Sequence, residues 1–307
     1  MQNLQLRKAT RQRAKIRMGF SAVSGGGKTY SALFVAFGLS GDWEKIAVID
    51  TENMSADLYS DLGPYQVLTL GGPYTPERYV EAIKTCEAAG MDVIIIDSIT
   101  HEWDGRGGIL DIHSNMTGNS FTNWSTLTPR HQAFIDAILK STCHILTTVR
   151  RKQDYEMSKD NNGKNTVTKL GLKEVTREGF EYELTLNLEL DVKHNATVSK
   201  DRTGLFAGKP SFIPTVETGK LIRLWCDSGS EPIVAPDPRE ELTVTHAAWP
   251  AVVQAIQNGY TLAQVEKKYR VTNGSKVALE ELIATKNQPK PQDNHIQTPA
   301  AATNEPF

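Results

Sequence analysis

The sequence predicts an α/β protein with a mostly parallel sheet, helices on both faces, an antiparallel extension and a small helical C-terminal domain. Short apolar runs typical of buried parallel strands alternate with amphipathic helical segments. The first of these runs leads into a glycine-rich loop that opens a helix. Between positions 179 and 198, apolar and polar residues alternate, which indicates antiparallel strands added to the sheet.

The predicted elements follow one another in this alternation. Strands are expected at 16–20, 46–50, 67–70, 92–97 and 143–149. Helices are expected at 28–38, from Thr75-Pro76 to Gly90, and from Thr128-Pro129 to about Lys140. Each Thr-Pro pair joins an N-cap residue to a proline suited to the first helical position. The segment that follows the last strand is polar, with a turn signal at 161–163.

Composition divides the 307 residues into five regions. These are a basic arm (1–14), an α/β core (15–228), a linker (229–243), a small helical domain (244–285) and a disordered tail (286–307). Positions 1–17 contain six basic residues and no acidic one, so this stretch is either solvated or a contact for a polyanion or a neighbouring subunit. The apolar residues of the helical domain recur at helical spacing and are best explained as the core of a small packed domain. Alternatively, the domain is a helix-turn-helix that reads DNA or a module that docks on another protein.

Overall composition is that of a soluble globular protein, with 39% apolar residues and a net charge of −2. No run approaches the roughly 18 apolar residues of a membrane span, and the first residues lack the apolar segment of a secretion signal. Three widely separated cysteines show no metal-binding spacing and indicate a reduced compartment. We therefore expect a cytoplasmic protein with no membrane partner.

The stretch SAVSGGGKTY (21–30) nearly matches the phosphate-binding motif G-x-x-x-x-G-K-[ST]. Ala22 replaces the first glycine, and it is small enough for the turn that leaves the strand. The three glycines let backbone N–H groups surround an anion, Lys28 reaches the β- and γ-phosphates, and Thr29 offers a hydroxyl to Mg²⁺. We predict that ATP and Mg²⁺ are bound here by Ala22, Ser24, Gly25, Gly26, Gly27, Lys28, Thr29 and Tyr30.

Hydrolysis requires two further carboxylates at the carboxyl edge of the sheet. Asp97 ends the run VIIID and suits the metal site together with Thr29. Glu52 follows the strand IAVID and is the candidate for the base that activates water, with Asp50 as the alternative. Arg150, which follows the strand after Asp97, is either a sensor of the γ-phosphate or a contact for DNA.

These segments resemble a known family. DTEN (50–53) and VIIIDS (93–98) resemble the D-x-E and Walker B segments of the RecA/RadA-type recombination ATPases. The resemblance implies that Glu52 is the catalytic carboxylate and that Asp97 is the metal-binding aspartate. Between about 14 and 227 the chain looks like the RecA-like P-loop ATPases of bacteriophages that accompany single-strand annealing and recombination.

The segment KDRTG (200–204) is similar to the K-N-R-F-G segment of RadA-like proteins, from which Asp201 and Thr203 depart. The resemblance implies that Lys200 binds, and Arg202 acts on, the nucleotide of a neighbouring subunit, and hence that the protein is a homo-oligomer. Together with Lys28 and Glu52, Arg202 completes the set of candidate catalytic residues.

In the RecA type, two loops after the central strands contact DNA, and the corresponding segments are 101–127 and 150–176. The first contains Trp103, Phe121 and Trp124, which either stack on unpaired bases or pack within the domain. The second, extended to position 177, has eight basic and four acidic residues, which suits a phosphate backbone or a solvated hairpin.

The sequence therefore predicts a Mg²⁺-dependent ATPase that binds single-stranded DNA in phage recombination, annealing or replication in the host cytoplasm. A single-strand-binding or annealing protein is a possible partner. The first alternative is an ATP-switched adaptor, loader or packaging ATPase that acts on protein without stimulation by DNA. A small-molecule P-loop kinase and a non-catalytic nucleotide-binding scaffold are further alternatives.

Overall fold

The computed structural model describes residues 6, 8–159, 165–230 and 239–286. The chain forms two compact units, Met1–Pro232 and Ile233–Phe307. Within the described ranges, no helix combines the length and the apolar character needed to cross a bilayer.

The first unit alternates strands and helices along the chain. Its strands are β1 (Arg17–Ala22), β2 (Ile46–Asp50), β3 (Gln66–Thr69), β4 (Val93–Asp97), β5 (His144–Lys159), β6 (Asn165–Glu174), β7 (Leu186–Leu190) and β8 (Ala196–Asp201). Its helices are α1 (Lys28–Ser40), α2 (Pro76–Ala88), α3 (Thr100–Asp104), α4 (Ile109–Asn115), α5 (Ser120–Lys140), α6 (Phe180–Glu183) and α7 (Val216–Asp227). Short 3-10 segments occur at Trp43–Lys45 and Ser55–Leu62.

The sheet has the strand order β3-β2-β4-β5-β1-β7-β8, and β6 pairs with the extension of β5. From β3 to β7 neighbouring strands run parallel, whereas β5–β6 and β7–β8 are antiparallel. The predicted fold class is confirmed. The register sets Asp50 opposite Asp97 and Ala22 opposite Arg150, so the carboxyl ends of four central strands meet at one edge.

Apolar side chains fill both faces of the sheet. Along β2 and β4, Val48 and Ile95 pack with α1 on one face, whereas Ile49 and Ile96 pack with α2 and α5 on the other. Because successive strand residues point to opposite faces, a strand covered on both sides must be apolar throughout. This explains the uninterrupted apolar runs of the sequence.

Helices α1 and α7 approach each other at two glycines. A Cβ atom on Gly38 would lie 2.1 Å from the Val216 carbonyl oxygen, and one on Gly219 would lie 2.2 Å from the Val35 carbonyl oxygen. Any side chain at either position would push the helices apart. The close crossing brings the start of α7 beside the carboxyl-terminal half of α1.

Part of the basic N-terminal stretch is attached to the first unit. The Arg11 guanidinium lies 4.3 Å from the centre of the Trp225 ring and donates to Ser228 Oγ at 3.0 Å. Arg17 is buried in β1 and donates to the carbonyl groups of Ser141 and Cys143, and burial lowers its pKa to about 10. The guanidinium groups of Arg11 and Arg17 are therefore both engaged in contacts within the chain.

The segment 101–127, expected as a loop, is mostly helical and forms α3, α4 and the beginning of α5. The Trp103 and Trp124 rings stack with centres 6.0 Å apart, and His113 stacks on Trp124 at 4.4 Å. These rings hold the three helices together, as the packing alternative supposed. Phe121 differs, since 87% of its surface is exposed.

The sequence predicted that this helix starts at Thr128-Pro129, but α5 begins at Ser120, nine residues before Pro129. The side chain of Asn119 accepts a hydrogen bond from the Phe121 N–H at 2.8 Å and supplies the N-cap. Pro129 therefore lies inside the helix, where the missing N–H breaks one backbone hydrogen bond. The Thr-Pro signal was wrong here because an earlier cap competes with it.

Strand β5 continues beyond the sheet and pairs with β6 as a two-stranded ribbon. The pairing runs from Arg151 opposite Glu174 to Lys159 opposite Asn165, with a register shift between Asp154 and Tyr155. The predicted turn at 161–163 lies outside the described residues. The alternating segment 179–198 was expected to form antiparallel strands. Its first residues instead form α6, β7 runs parallel to β1, and β8 is antiparallel to β7. Alternation reports which face of a strand is buried and does not report its direction.

The second unit contains β9 (Glu241–Leu242), α8 (Trp249–Gln257), α9 (Leu262–Lys268), β10 (Arg270–Val271) and α10 (Asn273–Lys286). Its small core is formed by Leu242, Val252, Ile256, Val265 and Leu279. The capping box expected from T-x-x-Q is present, and the Thr261 N–H donates to Gln264 Oε1 at 2.8 Å. The predicted disordered tail lies outside the described residues beyond Lys286.

Candidate functional site

The glycine-rich loop connects β1 to α1 and leaves the amino end of α1 open. Gly25 and Gly27 have φ values of 78° and 80°, in the left-handed region that glycine adopts without strain. Gly27 is the N-cap of α1, so the first N–H groups of the helix lack intrahelical partners and can bind an anion. A Cβ on Gly26 would lie 2.6 Å from the Ala22 Cβ. Gly26 and Gly27 leave no room for a side chain, whereas Gly25 has room but a positive φ that strains most other residues.

The geometry of the loop explains why alanine can replace the first glycine of the motif at position 22. It is the last residue of β1, is buried, and is not among the residues with positive φ. A glycine is therefore not required at the first motif position, and the methyl group fills space beneath Gly26. The departure from the motif leaves the phosphate cradle intact.

Lys28 is positioned inside this loop. Its Nζ donates to the carbonyl oxygens of Val23 at 3.2 Å and Ala22 at 3.5 Å. Burial lowers the pKa of Lys28, and the nearby carboxylates of Asp97 and Glu52 act in the opposite direction. Among the described residues, the half-buried ammonium group donates to two carbonyl oxygens, and a phosphate chain would supply the negative charge that these carbonyl groups lack.

Asp97 lies at the end of β4 with two hydroxyl groups around its carboxylate. Thr29 Oγ1 donates to Oδ2 at 2.6 Å, and Thr148 Oγ1 donates to Oδ1 at 2.5 Å. Burial raises the pKa of Asp97, because these hydrogen bonds only partly replace lost hydration. A carboxylate beside a threonine hydroxyl at a phosphate loop is the oxygen-donor set that Mg²⁺ prefers. The residues present therefore fit a Mg²⁺–nucleotide.

Glu52 faces the same edge from the end of β2. Its Oε1 accepts from Ser98 Oγ at 2.9 Å, and its Oε2 is paired with the Arg150 guanidinium. Burial raises the pKa of Glu52, but the hydrogen bonds from Arg150 and Ser98 outweigh burial, so the pKa is lowered overall. Glu52 is therefore a charged carboxylate at neutral pH.

Asp50, the alternative base, is engaged differently. It is buried, and its two oxygens accept from the N–H groups of Glu52 at 2.6 Å and Ala56 at 2.9 Å. These bonds shape the turn that follows β2. Both oxygens of Asp50 are thus engaged by backbone N–H groups of this turn, whereas the Glu52 carboxylate contacts Ser98 and Arg150 at the sheet edge.

A cavity of about 680 Å³ adjoins the phosphate loop. Tyr30 and Phe34 of α1 line one side, with ring centres 4.6 Å apart. Tyr59, from the 3-10 segment after β2, and Ile213, before α7, line the others. Of these four residues, the sequence motif indicated only Tyr30. Tyr59 and Ile213 come from distant segments that no local pattern connects to the loop.

Lys200 and Arg202 lie elsewhere. Lys200 Nζ donates to the Glu181 carbonyl oxygen at 3.0 Å, and Arg202 donates to the Tyr182 carbonyl oxygen at 3.2 Å. Both therefore contact the carboxyl end of α6, and neither lines the cavity beside the phosphate loop. Their action on a neighbouring subunit stays a prediction.

Comparison with known proteins agrees with this geometry. No curated protein matches the chain. The profile of the AAA-domain family matches residues 14–215, which is more than half of the 307 residues. The matched range contains the glycine-rich loop, both carboxylates at the sheet edge and the ribbon. The chain therefore belongs to the AAA-domain family and is a P-loop nucleoside triphosphatase.

Proposed function

We propose that this protein is a Mg²⁺-dependent ATPase of the RecA-like type that couples hydrolysis to single-stranded DNA, in phage recombination, annealing or replication in the bacterial cytoplasm. The observation that carries the proposal is the ion pair between Glu52 and Arg150. It joins the candidate catalytic carboxylate to the last residue of β5 that pairs with β1, directly before the basic ribbon begins at Arg151.

Each residue at the sheet edge has a distinct part. The loop N–H groups and Lys28 hold the phosphates, while Thr29 and Asp97 hold the metal. Mg²⁺, when bound, offsets the negative charge of the phosphates and polarises their oxygens. Glu52 orients the attacking water and accepts its proton, a role that its lowered pKa suits because it is deprotonated at neutral pH.

The ribbon supplies the surface for DNA. Lys152 and Lys173 lie directly opposite each other on β5 and β6, and both side chains are exposed. Neighbouring Arg151 is paired with Glu189 at 2.7 Å, which holds the base of the ribbon against β7. Exposed cations on a ribbon that starts at the catalytic edge support contact with a phosphate backbone.

The protein is proposed to act as a homo-oligomer with shared sites, and a single-strand-binding or annealing protein is proposed as a partner. Sharing is tested by mixing Glu52→Gln subunits with Arg202→Ala subunits. If each variant lacks a different half of the site, hydrolysis returns in the mixture. Absence of hydrolysis in every mixture, with both variants folded, would count against shared sites.

The main experiment measures Mg²⁺-dependent ATP hydrolysis with and without single-stranded DNA at low salt. Wild type, Lys28→Ala and Glu52→Gln are compared. We expect wild-type turnover to rise with DNA and both variants to lose turnover. Hydrolysis that does not respond to DNA would instead favour an adaptor, loader or packaging ATPase acting on protein.

A further inference from the structure

His194 lies in the tight turn between β7 and β8, far from the phosphate loop in sequence. Its φ of 66° is in the left-handed region, which is uncommon for a residue other than glycine. The turn is built around Asp191, whose carboxylate accepts from the N–H groups of Lys193 at 2.8 Å and Asn195 at 2.9 Å. The His194 N–H donates to the Asp191 carbonyl oxygen at 3.0 Å. The turn that contains His194 is thus held by several hydrogen bonds, and His194 adopts an unusual backbone conformation within it.

This turn contacts the phosphate loop. A Cβ atom on Gly27 would lie 2.6 Å from Nδ1 of His194, so the imidazole rests directly against the N-cap of α1. A Cβ on Gly26 would lie 3.8 Å from the Asp191 carbonyl oxygen. His194 also lines the cavity that contains Lys28 and Tyr30. The ring therefore lies against the phosphate loop and lines the same cavity as Lys28 and Tyr30.

His194 is exposed, and no hydrogen bond joins its imidazole to another of the residues that the structure describes, although its backbone N–H is engaged. A polar ring held by a strained backbone beside an anion cradle is the pattern expected of a ligand contact. The packing of the ring against Gly27 gives a second reason why that position tolerates no side chain.

We propose that His194 is a nucleotide-binding residue whose imidazole donates a hydrogen bond to the phosphate chain held by the loop. This inference rests on the proposed ATP site. It makes the β7–β8 turn part of the wall of the phosphate cradle. No sequence motif marks this role, because the turn reaches the loop only through the pairing of β7 with β1.

The test compares the affinities of ATP, ADP and inorganic tripolyphosphate for wild type and His194→Asn by calorimetry. Asparagine tolerates the left-handed conformation, so the turn is kept while the ring is removed. His194→Gly removes the ring without any backbone strain and serves if the first variant folds poorly. Lys193→Ala is the matched control, since it removes an exposed cation from the same turn.

We expect both His194 variants to bind all three ligands about tenfold or more weakly, as for loss of a hydrogen bond to a charged group. Lys193→Ala is expected to bind close to wild type. Unchanged affinity for tripolyphosphate in a folded His194 variant would overturn the phosphate contact. If wild type fails to bind ATP, the proposed ATP site itself is wrong. If wild type binds ATP and the His194 variants bind it equally well, only the role of His194 is wrong.

Discussion

Glu52 at the end of β2 forms an ion pair with Arg150, the residue at which β5 leaves the central sheet for the ribbon. Ser98 holds the second carboxylate oxygen of Glu52 at 2.9 Å. The pair is partly buried, with 19% of the Glu52 side chain exposed. Any displacement of Arg150 by a ligand on the ribbon therefore alters the charge environment of Glu52, which gives a physical route from the ribbon to hydrolysis.

Replacing Glu52 by glutamine should abolish hydrolysis and preserve ATP binding. The amide keeps the size of the side chain and its contact with Ser98 but cannot accept a proton. We expect turnover to fall about 10²–10⁴-fold, the usual effect of losing a general base. Phosphate release and ATP affinity are measured in parallel, with exposed Glu44→Gln as the control. Turnover close to wild type would remove Glu52 from the mechanism.

Removing the Arg150 guanidinium should shift the pH dependence of hydrolysis. Arg150 lowers the pKa of Glu52 against the effect of burial. In Arg150→Ala the pKa of Glu52 rises, so the carboxylate takes up a proton at higher pH. The acid limb of kcat/KM, where the base is lost as pH falls, should therefore move to higher pH.

Arg151→Ala is the matched control for Arg150→Ala, because its guanidinium is paired with Glu189 rather than Glu52. Its acid limb should coincide with that of wild type. An acid limb that moves equally in both variants would show that net charge, and not the Glu52–Arg150 pair, sets the profile.

The sequence revealed the parts of the site that are local. The loop 22–29 and the strand-end residues Glu52 and Asp97 each follow a short contiguous pattern, and the parallel topology brings them to one edge. The contacts of Tyr59 and His194 with the cavity were not predictable. They depend on where a 3-10 segment and a β-turn pack, and neither is encoded by periodicity within one element.

Asp97→Asn should stabilise the nucleotide-free protein while impairing Mg²⁺-dependent hydrolysis. Burial raises the pKa of Asp97 above its unfolded value. The charged carboxylate therefore destabilises the folded state at high pH, and this penalty decreases as pH falls. Asparagine keeps the size and accepts from Thr29 or Thr148 without the charge.

We expect Asp97→Asn to melt at a higher temperature than wild type at pH 8. The increase should be about 2–4 °C for each kcal/mol gained in the free energy of unfolding when the buried charge is removed. The difference should shrink at pH 5. Thermal unfolding without nucleotide and a Mg²⁺ titration of hydrolysis provide the two measurements. A lower melting temperature at pH 8 would mean that the negative charge itself stabilises the fold.

The paired variant Lys152→Ala/Lys173→Ala should weaken binding of single-stranded DNA. Each lysine that neutralises a phosphate contributes about 0.7 to the slope of log affinity against log salt. Loss of both should lower that slope by about 1.4. The control is Lys45→Ala/Lys84→Ala, which removes the same charge from exposed positions outside the ribbon. Equal slopes for the two double variants would place DNA elsewhere on the molecule.

Glu102 and His131 form a buried pair between α3 and α5, with Nδ1 of His131 3.0 Å from Glu102 Oε1. Burial raises the pKa of Glu102, although the hydrogen bond from His131 acts against this. In His131→Phe the carboxylate loses its partner, so its charged form is less stable in the folded state and its pKa rises further. Destabilisation should be largest above neutral pH and should decrease as pH falls and Glu102 takes up a proton.

Removing one partner of a buried pair typically costs about 3–5 kcal/mol. We expect a loss of this order in the free energy of unfolding for His131→Phe at pH 8, and a smaller loss at pH 5, both from urea titrations. The double variant Glu102→Met/His131→Phe should recover most of the stability at pH 8, because it buries no unpaired charge. If it is no more stable than His131→Phe, the loss comes from packing of the ring against Trp103 and Phe134, and the charge of Glu102 has no part in it.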